Sequence, residues 1–293
     1  MLLLSPVNWK DYELIDSGNY KKLERFGAFV LERPEPQAIW DPSLSLNEWR
    51  RMADGAFIKD EKSDEKGAWR LKDSMKDQWA INYKSGLMEL GFRLGLSSFK
   101  HVGIFPEQAS NWDYIYQKVK LLGSGAKVLN LFAYTGGASI AAKAAGADVT
   151  HVDSVKQVIS WARDNMELSK LQDIRWVVED AMKFVEREVR RGNKYQGIIL
   201  DPPAYGRGPK GEKWLIDQHL NVLIKACKEL LDPNRHFFIL NLYSLSFSPL
   251  IQETMIRRVF GKVENAEYGE LFLNDRYDKK LPLGTFYRFS SEA

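Results

Sequence analysis

Lys127-Val-Leu-Asn-Leu-Phe-Ala-Tyr-Thr-Gly-Gly137 opens the part of the chain whose pattern decides the fold. Lys127 to Phe132 is a short apolar run bounded by turn residues, the mark of a buried strand. Gly136 to Ala145 is rich in small residues and reads as a helix. Working outward, the alternation continues. Asp148–Val152 reads as a strand, Val155–Leu168 as an amphipathic helix, Ile174–Val178 as a strand and Ala181–Arg191 as a helix. Gln196–Leu200 is a strand running into Asp201-Pro202-Pro203. Leu215–Leu231 is a helix, Phe237–Leu242 a strand and Pro249–Phe260 a helix. Strands near Val263–Leu273 and Leu283–Phe289 form a terminal hairpin, and Asn111–Leu122 carries a helical stripe ahead of the series. Repeated strand and helix mean a parallel sheet covered on both faces. The terminal hairpin adds an antiparallel strand. The expected fold is an α/β, Rossmann-like sheet of seven mostly parallel strands.

Composition shifts near residue 100. Five of the nine tryptophans, Trp9, Trp40, Trp49, Trp69 and Trp79, precede it. Phe26–Leu31, Gln37–Trp40 and Gln78–Asn82 read as short strands between turns. The run Lys59–Lys66 reads as a solvated hairpin loop. The expected division is a small β-rich domain over 1–100, with substrate presentation or covering of the active site as its role, and a second domain over 101–293. A length of 293 residues suits two domains at roughly 150 residues each.

The bulk figures exclude several classes. Apolar residues make up 44% and charged residues 28%, so the chain can bury a full core. No run approaches the ~20 apolar residues of a membrane span, and Met1–Leu4 is too short for a signal segment. One cysteine rules out an internal disulfide or a multi-cysteine metal centre, and His101, His151, His219 and His236 lack ligand spacing. No metal and a cytoplasmic location are expected. Net charge is +3, and the excess lies beyond residue 100, a bias that permits nucleic-acid binding without requiring it.

In doubly wound sheets, ligands sit beyond the carboxyl ends of the strands. Those ends carry the informative residues here. Asn130 to Gly137 ends in a Gly-Gly pair, which either lets a ligand approach the backbone or makes a tight turn needing positive φ. Asp153 with Ser154 can accept ribose hydroxyls or cap the next helix. Asp180 with Ala181 can meet an adenine edge or cap a helix. Asp201-Pro202-Pro203-Ala204-Tyr205 holds a carboxyl at a rigid strand tip. Absence of G-x-G-x-x-G and of G-K-[ST] disfavours nicotinamide-nucleotide and P-loop sites.

Asn with a glycine turn, then two acids, then Asp-Pro-Pro, each at a successive strand end, resembles the class I S-adenosylmethionine-dependent methyltransferases. Asn130-Leu-Phe-Ala-Tyr-Thr-Gly136 and Asp201-Pro-Pro-Ala-Tyr205 are similar to the signatures of the bacterial 23S ribosomal RNA base methyltransferases, of cytosine-C5 and guanine-N7 type. His101-Val-Gly-Ile-Phe-Pro-Glu-Gln108 resembles their segment that covers the cofactor. The resemblance spans about residues 100–293. It implies S-adenosylmethionine as cofactor and S-adenosylhomocysteine as product. It places Asp153 and Ser154 on the ribose and Asp180 and Ala181 on the adenine. Tyr134, Thr135, Gly136 and Gly137 would line the methionine portion, Asn130 and Phe132 would also border the cofactor, and Phe105 and Glu107 would close over it. Asp201, Pro202, Pro203 and Tyr205 would face the acceptor base, Asp201 also bordering the cofactor.

One departure bears on the acceptor atom. Cytosine-C5 members need a thiolate at the end of the fifth strand, and here that stretch is Asn241-Leu-Tyr-Ser-Leu-Ser246. The single cysteine, Cys227, falls among helix residues Leu223, Ile224 and Leu230. A nitrogen acceptor follows. Gly206–Trp214 reads as a flexible loop whose Arg207, Lys210 and Lys213 meet phosphates while Trp214 offers a stacking surface, or as an ordinary polar loop. Ribosomal RNA is the expected partner. A small-molecule or protein methyltransferase and a non-catalytic cofactor- or RNA-binding module remain open alternatives.

Overall fold

The computed structural model describes residues 1–7, 9–60, 66–243 and 247–291. The chain divides into two units. The larger is Met1–Leu4, Ser110–Leu271 and Gly284–Ala293, and the smaller is Ser5–Ala109 with Phe272–Leu283. The boundary expected at residue 100 therefore shifts to 109, and the tip of the terminal hairpin groups with the smaller unit.

In chain order, β1 (Leu2–Leu4) belongs to the larger unit. The smaller unit holds β2 (Tyr12–Gly18), β3 (Lys21–Phe26), β4 (Phe29–Pro34), α1 (Leu46–Met52), β5 (Gly55–Lys59), β6 (Gly67–Leu71), β7 (Gln78–Lys84) and β8 (Glu89–Gly95). Strands β2 to β6 form one sheet in sequence order, and β7 and β8 pair separately. The single strand expected over Phe26–Leu31 is broken at Gly27-Ala28, where Gly27 takes φ +62° and reverses the chain, so that Phe26 ends β3 and Phe29–Leu31 open β4. Gln37–Trp40 forms no strand, and residues 61–65 of the expected charged loop lie outside the described residues. Ser45 and Glu48 make a capping box that starts α1. That helix delivers Trp49 into a core with Ile15, Leu23 and Ala53. The Trp49 indole donates to Asp16 Oδ2 (2.8 Å), and Lys279 Nζ meets Asp16 Oδ1 at 2.6 Å.

The larger unit continues with α2 (Ala109–Leu122), β9 (Lys127–Leu131), α3 (Gly137–Ala144), β10 (Asp148–Asp153), α4 (Lys156–Leu168), β11 (Ile174–Val178), α5 (Ala181–Arg190) and β12 (Gly197–Leu200). There follow β13 (Tyr205–Arg207), β14 (Lys213–Leu215), α6 (Ile216–Leu230), β15 (Phe237–Tyr243), α7 (Pro249–Phe260), β16 (Glu267–Asn274) and β17 (Lys280–Ser290). The sheet has eight strands, in the order β1-β16-β17-β15-β12-β9-β10-β11. It exceeds the expected seven because Leu2–Leu4 pairs in parallel with Gly269–Leu271 at one edge. From β15 to β11 neighbouring strands run parallel, and β17 joins β15 antiparallel. Strand residues Leu129, Leu131, Ile198, Leu200, Phe238 and Leu240 are fully buried and pack with α5 and α6 residues. The strand order reverses between β9 and β12, so the crevice of this doubly wound sheet opens at their carboxyl ends. Among the described residues, no helix is long and apolar enough to cross a membrane.

Candidate active site

β9 ends at Leu131, and the chain reaches α3 through a turn held in an uncommon backbone conformation. Phe132 and Tyr134 have φ of 55° and 49°, and Gly136, at the N-cap of α3, has 86°. Left-handed backbone at two side-chain-bearing residues costs on the order of 1–3 kcal/mol each, so the surroundings must enforce it. Three hydrogen bonds do so. Tyr134 N donates to Asp153 Oδ2 (3.0 Å), Ala133 N to the Val152 carbonyl (3.1 Å) and Asn165 Nδ2 to the Thr135 carbonyl (2.8 Å). Beneath the turn lies a buried chain of polar side chains. Asn130 Nδ2 donates to Ser139 Oγ (2.9 Å), which sits 3.0 Å from His151 Nδ1. Burial pushes the His151 imidazole down to about 3, so the chain is neutral at physiological pH.

This support clarifies several expected roles. Asn130 is buried and spends its amide on Ser139, so its side chain holds the turn from below. Gly136 serves the positive φ of a tight turn. A Cβ on Gly137 would lie 2.7 Å from Trp112 Cζ2, so that glycine permits packing of α2 against α3. His151, Ser139 and Asn165 were not singled out as site residues by the sequence. The signal for two of them is register, because a buried Asn130 and a buried His151 face each other on neighbouring strands.

At the end of β10, Asp153 is half-buried. Oδ2 takes the Tyr134 amide and Oδ1 the Val155 amide (2.9 Å). Burial raises its carboxyl above the ordinary range, and these amide bonds work against that rise. Ser154 follows, half-buried. Beyond β11, Asp180 caps α5 by accepting from Lys183 N (3.0 Å), and Ala181 is buried. The helix-capping alternative for Asp180 is therefore realised in the structure.

β12 ends in Leu200, and the Asp-Pro-Pro tip follows. Asp201 is half-buried, Pro202 buried, and Pro203, Ala204 and Tyr205 exposed. The segment expected as a flexible loop is an ordered hairpin of β13 and β14, with Gly206 opposite Trp214. Trp214 is only 4% exposed, which corrects its expected role as a stacking surface. Its Nε1 donates to the Pro203 carbonyl (2.7 Å), and its ring centroid lies 4.7 Å from that of Phe132. Arg207, Lys210 and Lys213 are exposed on this hairpin, and Arg207 Nε donates to Tyr205 Oη (2.8 Å). An ion pair between Lys183 and Glu212 ties the hairpin to the first turn of α5. Tyr243, not anticipated from sequence, stands exposed at the end of β15, beside β12 in the sheet. Ser244 to Ser246 lie outside the described residues.

The turn after β9, Asp153 and Ser154, Asp180 and Ala181, and Asp201 to Tyr205 thus gather at the carboxyl ends of four adjacent strands. Phe105 and Glu107 belong to the smaller unit. There Glu107 is buried, and desolvation raises its carboxyl to about 7 despite the nearby Lys22 charge. Cys227 is fully buried inside α6, where desolvation pushes its thiol well above the ordinary range. Among the described residues, no group of three His, Cys, Asp or Glu is placed to hold a metal ion.

Residues 58–258 match the family model described as S-adenosylmethionine-dependent methyltransferase. The crystal structure of a SAM-dependent methyltransferase from Agrobacterium tumefaciens is similar over 100% of this chain and 94% of that one, at 37% identity and a TM-score of 0.91. The ribosomal RNA large subunit methyltransferase K/L of Shewanella baltica is 35% identical over 147 residues, 48% of this chain and 20% of that protein. Its counterpart from Pseudoalteromonas atlantica is 29% identical over 181 residues, 59% of this chain and 25% of that protein. The matched stretch therefore spans a fifth to a quarter of these curated relatives. The cofactor is S-adenosylmethionine. The residues present suit it: carboxylates at neighbouring strand tips for hydroxyl and amino groups, beside a turn whose backbone is fixed from below.

Proposed function

The chain belongs to the S-adenosylmethionine-dependent methyltransferases, and from that premise we propose that it methylates a base of ribosomal RNA at a nitrogen atom. The cofactor supplies a methyl carbon on a sulfonium centre and leaves as S-adenosylhomocysteine. The protein's task is alignment of nucleophile, carbon and leaving group. In this reading Asp153 and Ser154 take the ribose, Asp180 and Ala181 the adenine. Phe132 and Tyr134 to Gly137 frame the methionine portion. For an amine acceptor, Asp201 and the Pro202 carbonyl accept hydrogen bonds from the nitrogen and aim its lone pair while charge develops, whereas a ring nitrogen such as guanine N7 is already nucleophilic and needs neither thiolate nor strong base.

The observation that carries this reading is the Asp-Pro-Pro tip beside the strained turn. Pro203 and Ala204 have their carbonyls occupied by Trp214 Nε1 and Ile216 N. Among the described residues, no donor is bound to the Pro202 carbonyl, which leaves it for an acceptor. A nitrogen nucleophile suits the chemistry because Cys227, the chain's single thiol, is buried within a helix. Exposed Tyr205 offers a ring for a flipped base, and Arg207, Lys210 and Lys213 offer charge for phosphates. The names of the ribosomal RNA relatives support the same substrate class.

The test is transfer of label from methyl-tritiated S-adenosylmethionine into extract from a strain lacking the gene, fractionated into RNA, protein and small molecules. Label in large-subunit RNA that disappears with Asp201→Ala is expected. Label confined to protein or small molecules would sink the RNA reading.

A further inference from the structure

The Asp-Pro-Pro tip has an unusual mechanical problem. Pro202 and Pro203 lack backbone N–H groups, so the tip cannot be held through its own donors at those positions. Their rings fix φ, and the freedom that remains is rotation about ψ at 201–203. Rotation about ψ at Asp201 or Pro202 changes how the Pro202 carbonyl and the Asp201 side chain are set relative to each other, and rotation at Pro203 turns the Pro203 carbonyl. The one polar handle on Pro203 is its carbonyl, and the structure puts a buried donor on it, Trp214 Nε1 at 2.7 Å.

The indole is itself held on several sides. Its ring packs against Phe132 at 4.7 Å and lies 5.7 Å from the His219 ring. His219 accepts the Leu215 amide through Nδ1 (2.9 Å), one residue beyond Trp214. The Trp214 backbone pairs with Gly206 in the hairpin. Phe132 is the first left-handed residue of the turn after β9. One side chain therefore contacts both the cofactor-side turn and the acceptor-side tip.

We propose that Trp214 is a positioning residue for methyl transfer: its indole N–H fixes the Pro203 carbonyl, and through it the orientation of Asp201 and the Pro202 carbonyl relative to the turn after β9. The inference rests on the reading that the tip faces the acceptor. A small misplacement of aligned groups costs on the order of a hundredfold in rate, and a variant that keeps an aromatic ring against Phe132 leaves the cofactor-side packing in place. Loss of the N–H therefore acts on the chemical step.

The experiment replaces Trp214 by phenylalanine, which keeps a ring against Phe132 and deletes the donor. A second variant carries benzothienylalanine, which has the shape of tryptophan with sulfur in place of N–H. A third carries 7-azatryptophan, which restores the N–H. Single-turnover methyl transfer is measured at saturating cofactor and acceptor, with S-adenosylmethionine affinity by calorimetry and Tm for each protein. For the first two variants the expected result is a rate reduced on the order of ten- to a hundredfold, with cofactor Kd within about twofold. The azatryptophan protein should recover most of the rate. If the phenylalanine protein fails to fold, the benzothienylalanine protein decides. Wild-type rate without the N–H overturns the proposal. The acceptor is whichever fraction takes label in the transfer experiment, so a protein or small-molecule acceptor removes the RNA reading and leaves this comparison intact. Transfer lost with Asp201→Ala but untouched in the benzothienylalanine protein overturns the Trp214 inference alone.

Discussion

Glu24, at the centre of β3 in the smaller unit, is completely buried, and so is the Arg33 guanidinium that pairs with it at 2.6 Å. Tyr12 Oη donates to the same carboxylate (2.9 Å), and Lys22 links it to Glu35. Burial alone would push the Glu24 carboxyl up, yet the Arg33 and Lys22 charges hold it below its ordinary value. In the larger unit, the buried polar chain beneath the turn after β9 carries no charge. Asn130, Ser139 and His151 are linked by neutral hydrogen bonds, and burial keeps the imidazole unprotonated. Both arrangements satisfy buried polar atoms, but they differ in what breaking them exposes. An ionic network leaves an uncompensated charge behind. A neutral chain leaves only an unmade hydrogen bond, and it adds no fixed charge beneath the turn after β9. The two buried networks thus solve the same problem with different chemistry, one by pairing charges and one without them.

The largest effect should come from the ionic side. Arg33→Met removes the guanidinium and strands Glu24, and breaking a buried pair this way costs about 3–5 kcal/mol. Urea unfolding of the variant measures it, and adding Glu24→Gln should recover most of the loss. A cost under about 1 kcal/mol for Arg33→Met would erase the contrast between the two units.

Glu107 gives the next effect, and it depends on pH. Its carboxyl is raised by burial to about 7, with Lys22 lowering it and Glu24 and Glu35 raising it. The folded state therefore holds a proton that the unfolded chain has released. Stability contributed by the protonated form is complete below the unfolded pKa of about 4.5 and falls as pH rises to about 7. Glu107→Gln removes that dependence and should gain up to about 3 kcal/mol at pH 8, with no gain at pH 4. Urea midpoints across this range decide it, and an equal shift at both ends would contradict the assignment.

Ser139→Ala tests the neutral chain. It leaves Asn130 Nδ2 and His151 Nδ1 without their shared partner. The expected cost is about 1–3 kcal/mol, flat between pH 5 and 9 because His151 stays neutral throughout. A cost that changes with pH in this window would show that the imidazole carries charge. The same variant should weaken S-adenosylmethionine binding, since the turn loses its support.

The sheet and the strand-tip residues were legible because they depend on local pattern. Val128–Leu131 and Gly197–Leu200 are short apolar runs, the first followed within five residues by Gly136-Gly137 and the second directly by Asp201-Pro202-Pro203. What was not legible depends on partners distant in sequence. Leu2–Leu4 is too short for a period to register, and it becomes a strand only by pairing with Gly269–Leu271. The hairpin after the Asp-Pro-Pro tip carries Gly206, Gly208, Pro209 and Gly211, the composition of a loop, and Trp214 is drawn inward by Phe132 and Pro203. Gly137 reads locally as an opening for a ligand, whereas the space its missing Cβ leaves is taken by Trp112, 25 residues earlier in the chain. Nothing local separates Glu24 and Arg33 from a solvated pair of charges.

The smallest effect should come from Cys227, and it bears on the acceptor atom. The thiol is buried in α6 with Leu223, Ile224 and Leu230, and desolvation raises its pKa, so it remains an unreactive thiol at neutral pH. A cysteine that attacks a pyrimidine ring must be a thiolate within reach of the base. Cys227→Ala should therefore leave methyl transfer unchanged within about twofold and lower stability by roughly 1 kcal/mol, the effect of a small core truncation. Initial rates on the labelled acceptor, together with the urea midpoint, measure both. Abolished transfer with unchanged stability would place a thiolate in the reaction and return a ring carbon as the acceptor. Unchanged transfer leaves the nucleophile on the substrate, where a ring or exocyclic nitrogen needs only to be aimed.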